Sequence, residues 1–406
     1  MHQSQGTNMR TALLSANLMT ASGVLRADLL LAGRSVLAWQ SRLAQGLGCQ
    51  RIIVLSAGKG EAVAALEQDC KVQGIAFQRL SRFADLAAVL HTEDELLIFG
   101  DGLVPDRATL TSVLAQQGTG KPLRKAVLCV PDDHGEAVTF PEDFERIDAA
   151  RCWAGVVVMR AGPVQGLDAF PPDSNPISLL LRMALQGGTP CHTLTASERA
   201  APKWFWAHNT DDINAHERAL VAQHRSPVIW TTPGLALADW LAARIGMRRI
   251  VAAAPGVVLG GLVLLLAAIG CALQYWELAA VLCAALGSFA LDLGGSLARI
   301  RENVLDSRLP LALVRAREPG RDLLVCGVLA AALGLGPLAA LGLLAVGNAR
   351  LAERFGAAAF WQDRTAQLAL LAVGSGLALL AEATALFALL ALAQCLFTNP
   401  ARPIPE

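Results

Sequence analysis

The sequence predicts a soluble α/β domain followed by an all-α membrane domain, and three observations lead to this fold class. The chain has 406 residues, of which 54% are hydrophobic and 17% are charged, whereas an average soluble domain carries about a quarter charged residues. Its lysines all lie in the first half, at positions 59, 71, 121, 125 and 203. The second half contains long apolar runs, and residues 250–273 include no charge. A run of about 18 or more such residues indicates a membrane helix.

Short apolar runs alternate with helical patterns between residues 11 and 225. The runs predict strands at 11–15, 51–56, 75–80, 96–99, 126–130 and 155–159. The helical patterns between them lie at 36–47, 61–69 and 175–186. Strands separated by helices indicate an open, mostly parallel sheet, whose functional sites lie at the carboxyl ends of strands. Asp101 follows one such strand.

Four apolar stretches make up the membrane domain, at 250–274, 277–297, 322–349 and 366–397. Clusters of arginine precede the first stretch, separate the second from the third, and separate the third from the fourth. If these cationic segments stay in the cytoplasm, an even number of crossings must separate each pair of clusters. The third stretch then forms a hairpin that turns near 334–337, and the fourth, with Glu382 in its middle, forms another. We therefore expect about six transmembrane helices, with four as the alternative, in a multi-pass protein of the cytoplasmic (inner) membrane whose soluble domain faces the cytoplasm.

The segment 226–249 connects the two domains. Residues 235–248 have the pattern of an amphipathic helix that ends in arginines, which suits a membrane surface or an ordinary linker helix. The predicted organisation is thus a tail at 1–10, the α/β domain at 11–225, the connector at 226–249, the membrane domain at 250–398 and a tail at 399–406.

Charge and cysteine usage exclude several other classes. The net charge is zero, so we expect no nucleic-acid partner, which would require a cationic face. The nine cysteines form no CxxC pair, which argues against a zinc site or a disulfide framework and for reduced, buried thiols. The polar first ten residues argue against a signal peptide.

A polar motif interrupts the end of the second apolar stretch. The run LDLGGSLARI, residues 291–300, brings Asp292, Gly295 and Arg299 to a depth where polar groups are costly and often functional. This run resembles the CDP-alcohol phosphatidyltransferase family, whose signature is D-x-x-D-G-x-x-A-R-x8-G-x3-D-x3-D. Gly295, Ala298 and Arg299 match G-x-x-A-R. The resemblance implies a site in which the aspartates hold two metal ions, the metals position a CDP-linked substrate, and the last aspartate deprotonates the attacking alcohol.

The metal ligands of that family are missing in register. The four ligand positions hold Leu291, Gly294, Ala312 and Ala316. Asp292 lies one residue from the first position, a rotation of about 100° on a helix, and Asp306 approaches the third if six residues are deleted. Two displaced carboxylates are a poor substitute for four around a hard divalent ion. Asp292, Arg299 and Arg301 are alternatively interfacial residues that satisfy one another.

The first half, over about residues 11–220, resembles the GT-A-type nucleotidyltransferases that act on sugar nucleotides and on the molybdenum cofactor, among them the guanylyltransferases. Three segments carry the resemblance, namely AGRSVLAWQSRLAQGLGCQRIIVL at 32–55, LLIFGDGLVPD at 96–106 and the segment 206–220. The resemblance implies a GT-A/Rossmann-like fold, CTP or another nucleotide as ligand, and Mg²⁺ as cofactor if the site is active. It assigns Asp101 and Asp212 as metal ligands.

The phosphate-binding loop of this family departs from its pattern here. The family loop is A-G-x-G-x-R, whose amides hold a triphosphate, and the corresponding residues 15–23 keep only Gly23. Arg26 stands near the position of a phosphate-binding lysine, and the two side chains are not equivalent. The predicted nucleotide-binding residues are Ser15, Asn17, Gly23, Arg26 and Asp101.

Two functions remain open from the sequence. The order of the two resemblances is that of bifunctional enzymes that make soluble phosphodiesters. The chain is therefore either a nucleotidyltransferase-like and CDP-alcohol phosphatidyltransferase-like protein of phospholipid or phosphodiester-alcohol metabolism, with its membrane aspartates lost, or a catalytically silent pseudoenzyme. In the second case it acts as a partner or lipid-binding subunit of an intact paralogue. The lipid bilayer is the expected partner of the second half, and the resemblance also implies a homodimer.

Overall fold

The computed structural model describes residues 9–58, 60–116, 121–171, 175–223, 230–245, 247–305, 311–334, 336–354 and 358–397. The chain divides into two compact units, Met1–Ala219 and Leu220–Glu406, called here the first unit and the second unit. Each is described by itself.

The first unit is built on β-strands. Their bounds are β1 (Arg10–Ser15), β2 (Leu30–Leu31), β3 (Arg34–Ser35), β4 (Arg51–Leu55), β5 (Ala76–Leu80), β6 (Glu95–Phe99), β7 (Leu103–Pro105), β8 (Ala126–Pro131), β9 (Arg151–Arg160), β10 (Cys191–Thr193) and β11 (Trp204–Trp206). Seven of them form one sheet in the order β10-β8-β9-β6-β1-β4-β5. Strand β9 runs antiparallel to β6 and β8, and the other pairs in this sheet are parallel. The expected open, mostly parallel sheet is confirmed.

Helices connect these strands. Their bounds are α1 (Val36–Gly46), α2 (Glu61–Gln73), α3 (Leu86–Val89), α4 (Arg107–Leu114), α5 (Gly135–Thr139), α6 (Pro176–Gln186), α7 (Ala196–Arg199) and α8 (Thr210–Gln223). Successive strand residues point to opposite faces of the sheet, so Leu13 and Leu14 of β1 enter two different hydrophobic clusters. Because both faces are covered, the central strands are continuous apolar runs.

Local capping explains why two helices begin where the sequence predicts. The Ser35 side chain accepts a hydrogen bond from the amide of Ala38 at the start of α1. Asn175 accepts from the amides of Ile177 and Ser178 at the start of α6, where Pro176 holds the first position. Side-chain oxygens of serine and asparagine satisfy the free amides of a first turn, and proline needs no partner there.

Every secondary-structure element that the structure describes in the second unit is a helix. Its helices are α9 (Pro233–Ala242), α10 (Met247–Leu273), α11 (Glu277–Leu305), α12 (Leu311–Ala332), α13 (Ala339–Arg354), α14 (Arg364–Gly376) and α15 (Leu380–Phe397). Helices α10 and α11 approach closely at two glycines, Gly261 and Gly287. A Cβ atom added to Gly261 would lie only 2.9 Å from the carbonyl oxygen of Gly287. Small residues permit such contacts between membrane helices.

The structure bears on the predicted crossings in three ways. Helices break at the predicted hairpin turn between α12 and α13 and again between α14 and α15, so Glu382 lies in the first turn of α15 rather than in the middle of a span. Within the described residues, the helices long and apolar enough to cross a membrane are Ala254–Leu273, Glu277–Glu302 and Leu380–Phe397. Helices α13 and α14 have 16 and 13 residues, fewer than the about 20 that a span needs. The count of six crossings stays a prediction.

The connector helix is shorter than predicted. The sequence pattern indicates a helix over 235–248, whereas α9 ends at Ala242 and α10 begins at Met247. The arginines at 248 and 249 therefore belong to the first turns of α10 rather than to the end of an amphipathic surface helix. The apolar run that follows these arginines is part of the same helix, so the arginines start the long helix α10 and do not end the connector helix.

Candidate functional site

Asp101 follows the carboxyl end of β6, as the sequence predicts, and anchors the loop after β1. Its Oδ2 atom accepts hydrogen bonds from the amide of Asn17 at 2.7 Å, from the amide of Leu18 at 2.8 Å and from Oγ of Ser15 at 3.2 Å. Its Oδ1 atom is buried and has no hydrogen-bond partner among the described residues. One oxygen of the carboxylate is thus saturated by donors and the other is unfilled.

Burial dominates the ionisation of this carboxyl group. It raises the pKa of Asp101 to about 6, although the hydrogen bonds from Leu18, Asn17 and Ser15 and the charge of Arg26 act in the opposite direction. Ionising a desolvated carboxyl group costs free energy, because the charged form has lost its hydration. Asp101 therefore changes charge within the range from mildly acidic to neutral pH.

The loop that would hold a triphosphate is a small turn with its amides already engaged. Gly23 has a φ of +78°, a conformation that glycine adopts readily, and its amide donates to the carbonyl of Thr20 at 2.9 Å. The Thr20 amide donates to the carbonyl of Val24 at 2.8 Å. The amides of Asn17 and Leu18 are held by the carboxylate described above. These four amides are thus engaged within the chain.

Arg26 is buried and forms an ion pair inside the chain. Its Nη1 atom is 2.7 Å from Oδ1 of Asp143, and the arginine is 8% exposed. A Cβ on Gly102 would lie 3.2 Å from Cδ of Arg26, so the side chain passes directly under that glycine. In this structure Arg26 is thus paired inside the chain, and its assignment as a nucleotide-binding residue stays a prediction. The guanidinium is buried, and such a cation requires an internal anion.

Asp143 and His208 complete a buried cluster with Arg26, called here the Arg26–Asp143–His208 cluster. Nδ1 of His208 lies 3.0 Å from Oδ2 of Asp143, an ion-pair distance that lacks the angle of a hydrogen bond. Burial opposes the ionisation of Asp143, but the contacts with His208 and Arg26 outweigh it and lower its pKa. The ring of His208 stacks on Phe140 with centroids 3.7 Å apart.

Sequence reasoning missed Asp143 and gave His208 no role. Asp143 lies between α5 and β9, in a segment with no period and no motif. A possible signal for His208 was its place two residues after Trp206, in the segment that resembles the late acidic motif. The sequence contains nothing that pairs either residue with Arg26.

Asp212 lies in the first turn of α8. Its amide donates to Oδ1 of Asn209 at 2.9 Å, so Asn209 caps this helix. Its Oδ2 atom is buried and lacks a hydrogen-bond partner among the residues that the structure describes. Burial raises the pKa of Glu136, and Asp212 adds to this effect while His208 opposes it. Asp212 and His208 therefore both lie near enough to Glu136 to act on its charge.

The predicted magnesium ligands are Asp101 and Asp212, and the structure shows what surrounds them. Among the described parts of the chain, no group of three or more His, Cys, Asp or Glu side chains could hold a metal ion. Mg²⁺ requires near-octahedral oxygen ligands and is usually held by one or two carboxylates with phosphate oxygens. Asp101 already gives one oxygen to three donors. One oxygen of each predicted ligand, Oδ1 of Asp101 and Oδ2 of Asp212, has no hydrogen-bond partner among the described residues, and Mg²⁺ as cofactor stays a prediction.

In the second unit, Asp292 binds an arginine of a different helix. Its Oδ1 atom lies 2.6 Å from Nη1 of Arg321 on α12, and its Oδ2 atom accepts from Oγ1 of Thr365 at 2.8 Å. Arg299 instead donates to Asp239 at 3.1 Å. The alternative in which Asp292 and Arg299 satisfy each other is therefore wrong. Both residues lie on α11, and each has found its partner on another helix.

Gly295 faces a second arginine of α12. A Cβ at this position would collide with the guanidinium of Arg317, which lies one helical turn before Arg321. The third predicted remnant, Asp306, lies outside the described residues. Arg301 has a buried Nε atom with no hydrogen-bond partner among the described residues. Two arginines of α12 thus lie against the residues that resemble the metal-binding motif, Arg317 against Gly295 and Arg321 against Asp292.

Comparisons with known proteins give a likeness among solved structures and no match to a family or a curated protein. No family model matches the chain, and no curated protein matches it. Among solved structures, the inositol-1-phosphate CTP transferase from T. maritima is similar at 12% identity, over 46% of this chain and 86% of that chain, with a TM-score of 0.34. At this identity and TM-score the likeness assigns no role to any residue.

Proposed function

We propose that this chain is a membrane-anchored, nucleotidyltransferase-like protein that serves as a binding or partner subunit rather than as a metal-dependent transferase. The 2.7 Å ion pair between Arg26 and Asp143 carries the proposal. The arginine that would neutralise phosphate is buried and already neutralised. Releasing it to a ligand would leave the buried Asp143 carboxylate without Arg26, which is strongly unfavourable.

The turn after β1 supports the same proposal. A phosphate-binding loop works because unpaired amides point at the anion. Here the amides of Asn17 and Leu18 donate to Asp101, and those of Thr20 and Gly23 donate to carbonyls of the turn itself. A triphosphate would have to displace internal hydrogen bonds, so CTP or another nucleotide should bind weakly.

The second unit supports it independently. Two-metal catalysis needs several carboxylates that bind the two metal ions. Here the carboxylate of Asp292 forms an ion pair with Arg321, and the guanidinium of Arg317 lies against Gly295. Arginines repel a divalent ion. The role that fits is that of a subunit held in the lipid bilayer by its apolar helices, working beside an intact paralogue in phospholipid or phosphodiester-alcohol metabolism.

A measurement of pyrophosphate release tests the proposal. The purified full-length chain in detergent is incubated with MgCl₂, CTP and candidate alcohol phosphates, beside Asp101→Ala and the matched control Asp133→Ala, whose carboxylate is exposed. We expect all three proteins to release pyrophosphate at the same background rate. Release that Asp101→Ala abolishes and Asp133→Ala preserves would overturn the proposal.

The unfilled Oδ1 atom of Asp101 favours a second candidate, a soluble unit that still transfers a nucleotidyl group with Mg²⁺ as cofactor. The same assay decides between the two. Co-purification with an intact family member expressed in the same cells would add support for the partner role, and a homodimer would appear in the same experiment as a complex of two copies.

A further inference from the structure

Arg317 of α12 is a half-buried arginine with no direct ion-pair partner among the described residues. Its guanidinium packs on the bare Cα of Gly295, and the side chain is only partly exposed. It forms no hydrogen bond or ion pair with any described residue. The charged groups near enough to act on it are Asp292, Arg321, Glu318 and Arg299.

The acidic neighbours of Arg317 are already engaged by other groups. Asp292 binds Arg321 at 2.6 Å and Thr365 at 2.8 Å. Glu318 lies 3.2 Å from Arg350. The acidic groups that act on Arg317 therefore make their direct ion pairs with other arginines.

Arg321, one helical turn after Arg317, also has an N–H group without a hydrogen-bond acceptor among the described residues. It is 6% exposed, and its Nε atom is buried without a hydrogen-bond partner among the described residues. Arg317 and Arg321 are four residues apart on α12, so their side chains lie on one face of the helix. A half-buried cation and a buried N–H donor without partners are both costly. Their presence side by side indicates an anionic ligand.

The geometry points to a phosphate. We propose that Arg317 and Arg321 bind one phosphate group of an anionic ligand, without a divalent metal. The planar guanidinium carries a fork of donors that matches phosphate oxygens. Gly295 contributes by leaving room for the guanidinium, since any side chain there would displace it. The site lies in the second unit and does not depend on the function proposed for the first.

Thermal unfolding of the full-length chain tests this site. The protein in neutral maltoside micelles, with EDTA present, is followed by tryptophan fluorescence. One arm adds sodium phosphate against sodium chloride of equal ionic strength. The other adds phosphatidylglycerol against phosphatidylcholine. We expect a saturable rise in Tm in at least one arm. A rise with inorganic phosphate identifies a free phosphate ligand, and a rise with phosphatidylglycerol alone identifies a lipid headgroup.

Three variants separate the site from general charge effects. Arg317→Gln should weaken the response at least about tenfold, because it removes a charge-assisted hydrogen bond. It should also raise the Tm without added anion, since a half-buried charge that has no direct partner among the described residues is gone. Gly295→Ala keeps the charge but displaces the guanidinium, and it should weaken the response as well. Arg354→Gln is the matched control, because Arg354 is exposed at the end of α13.

Two results would overturn the proposal. The first is the absence of any anion-dependent rise in Tm in both arms. The second is an equal rise in the wild type, Arg317→Gln and Arg354→Gln. If Arg317→Gln does not fold, the comparison of Gly295→Ala with Arg354→Gln decides.

Discussion

Nη1 of Arg26 lies 2.7 Å from Oδ1 of Asp143, and the two side chains are 9% and 1% exposed. The residues are 117 positions apart in the chain, so this pair joins the turn after β1 to the segment before β9. Arg26, at the position that resembles a phosphate-binding lysine, is therefore buried in the protein interior. Three of the predictions below concern buried carboxylates of this kind.

Asp143→Asn should destabilise the first unit strongly. The change leaves Arg26 buried and uncompensated, which costs about 3–5 kcal/mol. Because the pKa of Asp143 is lowered in the folded state, its stabilising contribution is present above the unfolded pKa of about 3.9 and is lost as the pH falls through its folded pKa. Hydrogen exchange of residues 15–26 in the full-length chain measures the effect. The exposed control Asp133→Asn should stay within about 0.5 kcal/mol of wild type, and equal exchange in both variants would refute the prediction.

Asp101→Asn should stabilise the protein at neutral pH. The pKa of Asp101 is raised to about 6, so the carboxyl group contributes stability that is full below about pH 3.9 and is lost as the pH rises through 6. The variant resembles the protonated group and should be about 2–3 kcal/mol more stable than wild type at pH 7.5 and equal to it near pH 3.5. Urea unfolding at the two pH values, with Mg²⁺ added in a parallel series, measures this. A Mg²⁺-dependent stabilisation that Asp101→Asn removes would instead establish a metal site.

Asp363→Ala should loosen the starts of two helices in the second unit. Asp363 is fully buried, and its Oδ2 atom accepts from the Gly234 amide at 2.6 Å while its Oδ1 atom accepts from the Ala366 amide at 2.9 Å. Loss of each cap costs about 1 kcal/mol. We expect faster hydrogen exchange at amides 234 and 366 together. Asp363→Asn, which keeps one acceptor oxygen, should show a smaller change, and unchanged exchange in the alanine variant would contradict the prediction.

Cysteine labelling distinguishes six crossings from four. Leu338→Cys and Leu377→Cys lie at the two helix breaks, where the side chains are 51% and 67% exposed, and Arg354→Cys lies at the end of α13. In a background without the nine native cysteines, a membrane-impermeant maleimide applied to intact cells should label positions 338 and 377 but not 354. With four crossings, position 354 becomes accessible from outside and 338 does not.

Local signals explain how much of the fold the sequence predicts. Helices α1 and α6 begin and end within one residue of their predicted bounds, because capping side chains and proline act within a single turn. The central strands are recognisable because they are buried on both faces. The antiparallel direction of β9 was not predictable, since strand direction depends on the path of the whole chain.

The candidate sites show the same division more sharply. From its residues alone, the chain was recognisable as an α/β half followed by an apolar helical half, with Asp101 after a strand and Asp292 on an apolar helix. Only the tertiary structure decided what these residues contact. Asp101 holds the turn after β1, Arg26 meets Asp143, and Asp292 meets Arg321. The physical reason is that periodicity and capping act between near neighbours in sequence, whereas a buried charge is neutralised by whichever opposite charge the folded chain brings close.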